Sequence, residues 1–269
     1  MKRWTRNLPA YLQLATVAPQ TMLRYRFSLA IDIGGVLLRV YLLQLVFRAA
    51  YAGQSAVDGV PLSHTLTVVT LANLQFWVLE SSLAAMLYER VRAGTIASEL
   101  ARPAPLLGQL LAYQAGATLA RLPGVLLALP FVLAMGGLAP PASATSGLLY
   151  AASLVLGYGV ATLLGLLIGL VMFWTFEMGS LLVIVRFANE FFGGALVPLW
   201  FFPPLLRRFA ALLPFQQQAF VPLAIYTGQL EGGAALAAVG RQAAWVMGLG
   251  ALAWLVWRRA LRRVVIQGG

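Results

Sequence analysis

The sequence predicts an all-α, polytopic membrane protein with six transmembrane helices, on the basis of its composition and of how its apolar residues are grouped. Of its 269 residues, 61% are hydrophobic and only 10% are charged, and the mean hydropathy is +0.83. Soluble domains hold about 25% charged and 45–50% apolar residues. The apolar residues are gathered into segments near the ~20 residues that a helix needs to cross about 30 Å of hydrocarbon. No polar stretch is long enough to fold alone, so residues 1–269 are predicted to form a single transmembrane domain.

The N-terminal residues 1–26 carry five basic side chains and no acidic one. Apolar residues recur between Leu8 and Arg26, but Pro9, Pro19 and the polar content make this stretch unsuited to crossing a membrane. It also lacks the compact apolar core and the small-residue cleavage site of a signal peptide. We predict an amphipathic helix on the cytoplasmic face of the membrane, with a disordered basic tail as the alternative.

The first three predicted spans cover residues 27–47, 62–87 and 107–138. The third is too long for one straight crossing and is interrupted by Arg121 and Pro123. Either this helix is tilted and kinks at Pro123, or its first part lies in the membrane interface and the remainder crosses.

The last three predicted spans cover residues 148–173, 180–199 and 234–256, and a basic tail follows over 257–269. Gly165 and Gly169 in the fourth span form a G-x-x-x-G pattern, which permits close helix packing. The alternative is that glycine is simply frequent in such helices.

Prolines interrupt the chain after the fifth span. A continuous helix cannot pass the Pro203-Pro204 pair, because proline lacks a backbone donor and clashes with the preceding turn. The apolar stretch that follows contains Arg207 and Arg208 and ends at Pro214, which predicts a short helix at the membrane surface with both arginines among the lipid head groups. The residues assigned to this outer segment are Pro203, Arg207, Arg208, Pro214, Phe215 and Pro222.

The positions of the basic residues predict the topology. Five Lys and Arg precede the first span, four follow the last span, and three lie in the loop from Tyr88 to Leu106. Because basic residues collect on the cytoplasmic side, both termini are predicted to be cytoplasmic. The net charge of +11 is thereby explained by topology, and nucleic acid is not expected as a partner.

Several kinds of chemistry are excluded or unsupported by the sequence. There is no cysteine and a single histidine, His64, so a cluster of metal ligands is not expected. Only Asp32 is an aspartate within a predicted span, and no base lies at a suitable depth to activate a serine. No G-x-x-x-x-G-K-[ST] motif occurs, so the chain is not expected to bind and hydrolyse ATP by itself. No catalytic, cofactor or metal site is predicted.

Ionisable residues within the predicted spans are the first functional candidates, because a charge at the bilayer centre costs at least ~2.5–3.5 kcal/mol without a partner or water. These residues are Asp32, Arg39, Glu80, Arg186 and Glu190. Arg186 and Glu190 are four residues apart and can pair along one helix face. Arg39 and Glu80 are predicted at compatible depths on antiparallel spans. The pairs either lock helices together or line a translocation path.

The loop from Tyr88 to Leu106 is the second candidate. It is dense in charges of both signs around a short apolar segment, and Pro103 and Pro105 stop its helix before the next span. The loop is predicted to dock a soluble partner, with a merely solvated loop as the alternative. Its candidate residues are Glu89, Arg90, Arg92, Thr95, Glu99, Arg102 and Pro103.

Two stretches carry a family resemblance. The pattern R-x-G-T-I-x-x-E-L-x-R-P begins at Arg92, and G-G-A-L-V-P-L-W-F-F-P begins at Gly193, followed by L-P-F and P-L-A-I-Y-T-G. In this order they resemble the permease subunits of ABC-2 type transporters, and most closely the short six-span, viologen-exporter-like branch. The resemblance covers nearly the whole chain.

The resemblance implies the type V exporter fold, in which two permeases form one pathway in the bacterial cytoplasmic membrane. It implies that Glu89 to Pro103 is the coupling helix seated on a cytoplasmic ATPase subunit, which carries ATP and Mg, and that this chain needs no cofactor. It also implies re-entrant helices over Pro203 to Pro222 and favours a heterodimer with a second permease over a homodimer. No large outer domain is present, which argues against the lipid and sterol exporters of the family.

The sequence leaves the substrate and some rival functions open. Aromatic residues and the acids Glu80 and Glu190 in the spans suggest export of an amphipathic or cationic small molecule, a lipid-like compound or a natural product. A proton-coupled carrier with Glu80 or Glu190 as relay would be expected to show inverted repeats, and none is evident. A scaffold that does not transport would use the buried charges only to hold its helices together.

Overall fold

The computed structural model describes residues 8–24, 26–101, 104–175 and 179–267. The described chain is almost entirely helical, and it confirms the predicted all-α polytopic architecture. Its longer helices are α1 (Leu8–Arg24), α2 (Arg26–Ala50), α3 (Leu62–Leu79), α4 (Leu83–Arg92), α6 (Leu106–Ala134), α7 (Ala144–Thr175), α8 (Gly179–Phe192) and α11 (Gly232–Gln267). Its shorter helices are α5 (Ile96–Leu100), α9 (Pro204–Ala211) and α10 (Phe220–Tyr226), with 3-10 turns at Leu199–Phe201 and Phe215–Gln217.

The loop between α2 and α3 contains a small hairpin that the sequence did not predict. Strands β1 (Ala56–Val57) and β2 (Val60–Pro61) pair in antiparallel register. Asp58 and Gly59 connect them with φ of 50° and 77°, as a two-residue turn of this kind requires. This hairpin marks one end of the bundle, called the hairpin end here, and the α4–α5 region marks the other, called the elbow end.

Within the described ranges, five segments are long and apolar enough to cross a membrane: Phe27–Ala50, Leu62–Arg92, Leu106–Ala134, Ala144–Thr175 and Gly232–Arg262. The predicted fifth span corresponds to α8, which has only 14 residues and therefore rises about 21 Å. It ends at Phe192 instead of continuing to Leu199, because Gly193 and Gly194 form a turn in which Gly194 has φ 85°. Helix α8 is thus shorter than a full crossing.

The second predicted span is divided in two. Helix α3 ends at Leu79, Glu80 takes φ −53° and ψ 124°, and α4 starts at Leu83. No proline causes this break. By contrast, the third span is one continuous helix with Pro123 and Pro130 inside it, and the last helix continues through the basic tail as far as Gln267.

Helix α7 is the centre of the packing, with α4, α10 and α11 against it. Gly165 and Gly169 face the broken span: a Cβ on Gly165 would lie 2.1 Å from Ser81 Oγ, and one on Gly169 would lie 3.0 Å from Ala84 Cα. The G-x-x-x-G pattern therefore does bring two segments close together. At the elbow end, leucines from α4, α6 and α7 pack around Trp257.

Helix α1 packs along α6 and not apart from the bundle. A Cβ on Gly116 of α6 would lie 2.0 Å from the carbonyl oxygen of Ala15, so only glycine permits this approach. The predicted placement of this helix in the membrane interface stays a prediction.

Candidate functional site

A cavity of about 510 Å³ lies among α2, α3, α6, α7 and α8. Its walls combine apolar and aromatic side chains with charged ones. The charged residues that line it are Arg39, Glu80, Arg121, Arg186 and Glu190. Four of the five intramembrane candidates predicted from the sequence therefore meet at one place, joined by Arg121.

These five side chains form one alternating series of ion pairs, called the charge ladder here. Arg39 Nη2 lies 2.7 Å from Glu190 Oε2, and Glu190 Oε1 lies 3.5 Å from Arg186 Nε. Arg186 Nη1 lies 3.4 Å from Glu80 Oε1, and Glu80 Oε2 lies 3.7 Å from Arg121 Nη2. The ladder connects α2, α6 and α8 with the break in the second span, and the predicted Arg186–Glu190 pair is part of it.

The expected pairing of Arg39 with Glu80 is wrong, and the register of α2 on α3 explains why. Gln44 donates a hydrogen bond to Thr70 Oγ1 at 2.8 Å, which fixes the two antiparallel helices relative to each other. In this register Glu80 lies opposite Gly34, about 7–8 Å along the helix from Arg39. Arg39 therefore reaches Glu190 on α8 instead, and Glu80 turns to Arg121 and Arg186.

The charge ladder lies near mid-depth in its helices. Arg121 is the sixteenth of the 29 residues of α6, and Arg39 is the fourteenth of the 25 residues of α2. Charges at such depth need partners, and the ladder supplies them. The apolar composition alone would not have placed these groups together.

The break in the second span is held by hydrogen bonds from α6, a group called the polar clamp here. The Glu80 carbonyl accepts a hydrogen bond from Arg121 Nη1 at 2.7 Å and one from Gln114 Nε2 at 3.2 Å. Gln114 Oε1 in turn accepts from the Ser82 backbone N–H at 2.8 Å and from Ser82 Oγ at 2.9 Å. Because backbone groups that leave a helix inside a membrane must find other partners, the clamp is what allows α3 to end here.

The predicted outer segment enters the protein interior and returns. Helix α9 leads to the 3-10 turn Phe215–Gln217, where Gln217 accepts a hydrogen bond from Gln242 Nε2 at 2.7 Å. A Cβ on Gly157, which is about 20 Å along α7 from its hairpin end, would meet the carbonyl oxygens of Gln217 and Gln218. Helix α10, which contains Pro222, then runs back to the hairpin end, where the Tyr226 hydroxyl donates to the Ala139 carbonyl at 2.9 Å. This is the re-entrant path that the resemblance implied.

The tip of this re-entrant segment closes one side of the cavity. Phe215 and Gln218 both line it, and Gln218 exchanges hydrogen bonds with Asn189 of α8. Pro203 precedes α9, and Pro214 precedes the 3-10 turn at the tip. Arg207 does not extend freely, because its guanidinium donates to the carbonyls of Trp200 at 2.8 Å and Phe202 at 3.2 Å.

The α4–α5 elbow is a compact turn. Arg90 Nε lies 2.8 Å from Glu99 Oε2, and Gly94 makes the turn with φ 68°. The side chain of Ile96 is buried in the same core as Trp257, so α5 is attached to the bundle. Glu99, at 14% exposed, is occupied by Arg90 and serves the elbow itself.

The exposed face of the elbow is formed by other residues. Glu89, Arg92 and Thr95 are exposed, and the Arg92 guanidinium stacks 6.0 Å from the Tyr88 ring centroid. The predicted coupling residues Arg102 and Pro103 lie outside the described residues.

Some site residues were missed or do not join the site. Arg121 was treated as an interruption of the third span, although an arginine in the middle of an apolar span is itself a signal of a polar site. The amides Gln114, Asn189 and Gln218 gave no comparable signal. Asp32 is exposed and does not line the cavity, and no ion pair joins it to another side chain in the described part of the chain.

The long apolar helices and the charged cavity at mid-depth define a multi-pass membrane protein with an internal polar site. The chain belongs to the ABC-2 family of transporters, since the family described as ABC-2 family transporter protein matches residues 37–268. It is therefore a permease of an ABC transporter, a transmembrane subunit that is not itself catalytic. No curated protein and no solved structure matched the chain.

Proposed function

We propose that this permease exports an amphipathic small molecule or lipid-like compound across the bacterial cytoplasmic membrane, driven by separate cytoplasmic ATPase subunits that carry ATP and Mg. Both chain termini and the elbow lie on the cytoplasmic side in this proposal. Two permeases form the pathway, and a heterodimer is favoured. The observation that carries the proposal is the charged cavity together with the elbow in the same broken span.

The elbow has the properties of a docking element. Its Arg90–Glu99 pair and its buried Ile96 make it rigid, so a force on its exposed face is transmitted to α4. Glu89 and Arg92 remain available to a partner on that face. Electrostatic complementarity of such exposed charges gives orientation and specificity to an interface.

Motion of α4 reaches the cavity directly. The helix begins at the polar clamp, and Glu80, Ser81 and Ser82 all line the cavity. In the proposed mechanism, ATP binding draws the two ATPases together, the elbows move with them, and the two permeases alternate between inward-open and outward-open states. The ATPases supply the energy, and this chain converts it into alternating access of the pathway to the two sides of the membrane.

The arrangement does not favour a proton-coupled carrier. Both carboxylates proposed as relays, Glu80 and Glu190, are held in ion pairs with guanidinium groups, and these pairs would break each time a proton was taken up. A relay must release and accept its proton in turn.

The test is purification of the tagged protein from its native membrane in mild detergent, followed by identification of stoichiometric partners. Recovery of an ATP-binding subunit, with or without a second permease, would support the proposal. The double variant Glu89→Ala, Arg92→Ala should lower recovery of that subunit without lowering thermal stability. Glu231→Ala, Arg241→Ala is the matched control, because it also removes one exposed acidic and one exposed basic side chain, away from the elbow. Recovery of the chain alone at every salt concentration would refute the proposal.

A further inference from the structure

We propose that the cavity binds the head of an anionic amphiphile, in which a phosphate or carboxylate group is joined to an apolar chain. The inference names the substrate class for the proposed export function and rests on it for physiological meaning. The binding itself requires no ATPase and can be tested on this chain alone.

The first argument is the charge of the cavity. Three guanidinium groups and two carboxylates line it, and a third carboxylate, that of Asp32 outside the lining, attracts Arg121. Guanidinium groups thus outnumber carboxylates in the lining, and guanidinium is the side chain that best recognises phosphate and carboxylate groups. The earlier expectation of a cationic substrate depended on Glu80 and Glu190, and the structure shows both carboxylates already paired with arginines.

The second argument identifies the arginine that is open to a ligand. Arg39 is 2.7 Å from Glu190, and Arg121 donates to the Glu80 carbonyl at 2.7 Å, so both are firmly engaged. Arg186 contacts its two carboxylates only at 3.4 and 3.5 Å. Charge-assisted hydrogen bonds are ordinarily about 2.7–2.9 Å long. The Arg186 side chain is also 69% exposed, so its guanidinium has donors left for an anion.

The third argument is the apolar wall beside these charges. The apolar side chains that line the same cavity include Val36, Phe76, Trp77, Leu182 and Phe215. The volume of about 510 Å³ is within the ~300–1,000 Å³ of small-molecule sites. Such a site matches a head group at the charge ladder with an apolar chain along the wall, and it does not match a free inorganic anion.

The experiment compares two lipids that share an acyl chain and a phosphate but differ in the net charge of the head group. The full chain, purified in a neutral maltoside detergent, is titrated with radiolabelled lysophosphatidic acid and with lysophosphatidylcholine of the same acyl chain. We expect the anionic lipid to bind at least about tenfold more tightly, the factor of one charge-assisted hydrogen bond. Equal affinity for the two lipids would overturn the proposal.

Variants assign the effect to the cavity. Arg186→Gln should remove most of the preference for the anionic lipid. Arg208→Gln, which also removes one exposed arginine but lies on α9 outside the cavity, should leave the preference unchanged. Glu80→Gln removes one of the two carboxylates that compete for Arg186 and should tighten binding of the anionic lipid severalfold, so it decides the matter if Arg186→Gln does not fold. Loss of the preference in Arg208→Gln as well would show that the preference arises elsewhere, against the proposal.

Two competing ligands test whether the lipid preference depends on the apolar chain and on the sign of the head-group charge. Inorganic phosphate at the concentration of the lipid should not displace it; displacement would show an anion site with no role for the chain, and would overturn the amphiphile assignment. Cetyltrimethylammonium should compete poorly, and strong competition would overturn the sign of the selectivity. Failure to recover an ATPase would refute the export function and leave these binding results untouched, so the two failures are distinguishable.

Discussion

Gly165→Ala tests how closely α7 approaches the break in the second span. The added Cβ would lie 2.4 Å from Ser81 Cβ, whereas ordinary contacts begin near 3.4 Å, so the segment from Glu80 to Ser82 must move by about 1 Å. Rotating the Ser81 hydroxyl cannot relieve this, because the Cβ itself is in the way. Overpacking of this kind costs about 1–3 kcal/mol.

The gain in helix propensity opposes this cost only in part, because alanine is favoured over glycine by about 1 kcal/mol in a helix interior. The expected net destabilisation is up to about 2 kcal/mol. For a chain of this size, each kcal/mol lowers Tm by roughly 2–4 °C. The assay is thermal unfolding in detergent followed by loss of the monodisperse peak in size-exclusion chromatography. Gly250→Ala is the control, since its Cβ would meet only Leu163 at 4.0 Å, and it should not lower Tm.

A second substitution makes the test decisive. Ser81→Gly removes both clashing atoms and leaves Ser81 Cα, 3.8 Å away, as the nearest remaining neighbour. The double variant Ser81→Gly, Gly165→Ala should therefore be more stable than the sum of the two single effects predicts. Simple additivity of the two single effects would refute the close approach.

Three further predictions concern the ion pairs and the outer segment. Glu190→Met should lower the free energy of unfolding by roughly 1–3 kcal/mol, because it leaves Arg39 unpaired. This is less than the ~3–5 kcal/mol of a fully buried pair, since the two side chains are 35% and 17% exposed. Adding Arg39→Met should recover part of the lost Tm, and a further loss would contradict the pairing. Arg90→Gln and Glu99→Gln should each loosen the elbow, and the double variant should lose less than their sum by about 0.5–1.5 kcal/mol in a thermal double-mutant cycle. Arg207→Ala should lower Tm by removing two hydrogen bonds to backbone carbonyls, about 1–2 kcal/mol, whereas the neighbouring Arg208→Ala should not; equal effects would show that Arg207 acts only through its charge.

The sequence predicted what depends on local composition and failed where distant side chains decide. Apolar segment length predicted the multi-pass helical architecture, and Pro203 and Pro204 predicted the start of α9, whereas the preceding long helix α8 already ends at Phe192, before Gly193 and Gly194. The break after Leu79 has no local signal, because no proline or glycine lies there and its hydrogen bonds come from Gln114 and Arg121 on another helix.

The candidate site shows the same division. Ionisable residues within spans correctly indicated a polar site at Arg39, Glu80, Arg186 and Glu190. Their pairing could not be predicted, because it depends on the register of α2 against α3, which rests on the Gln44–Thr70 hydrogen bond and on the packing of Phe47 with Leu66 and Val69. Counting residues from the ends of two spans misses a displacement of about five residues, which is enough to exchange one carboxylate partner for another.

A helix broken by proline stays broken, whereas the second span is broken without one. Glu80, Ser81 and Ser82 keep their backbone N–H groups, so nothing in their covalent structure prevents helix from forming without interruption from Leu62 to Arg92. What opposes it is the set of hydrogen bonds from Gln114 and Arg121, each of a kind that contributes only about 0.5–3 kcal/mol. The break is thus held by hydrogen bonds that can be broken and re-formed, and not by a covalent constraint at Glu80, Ser81 or Ser82.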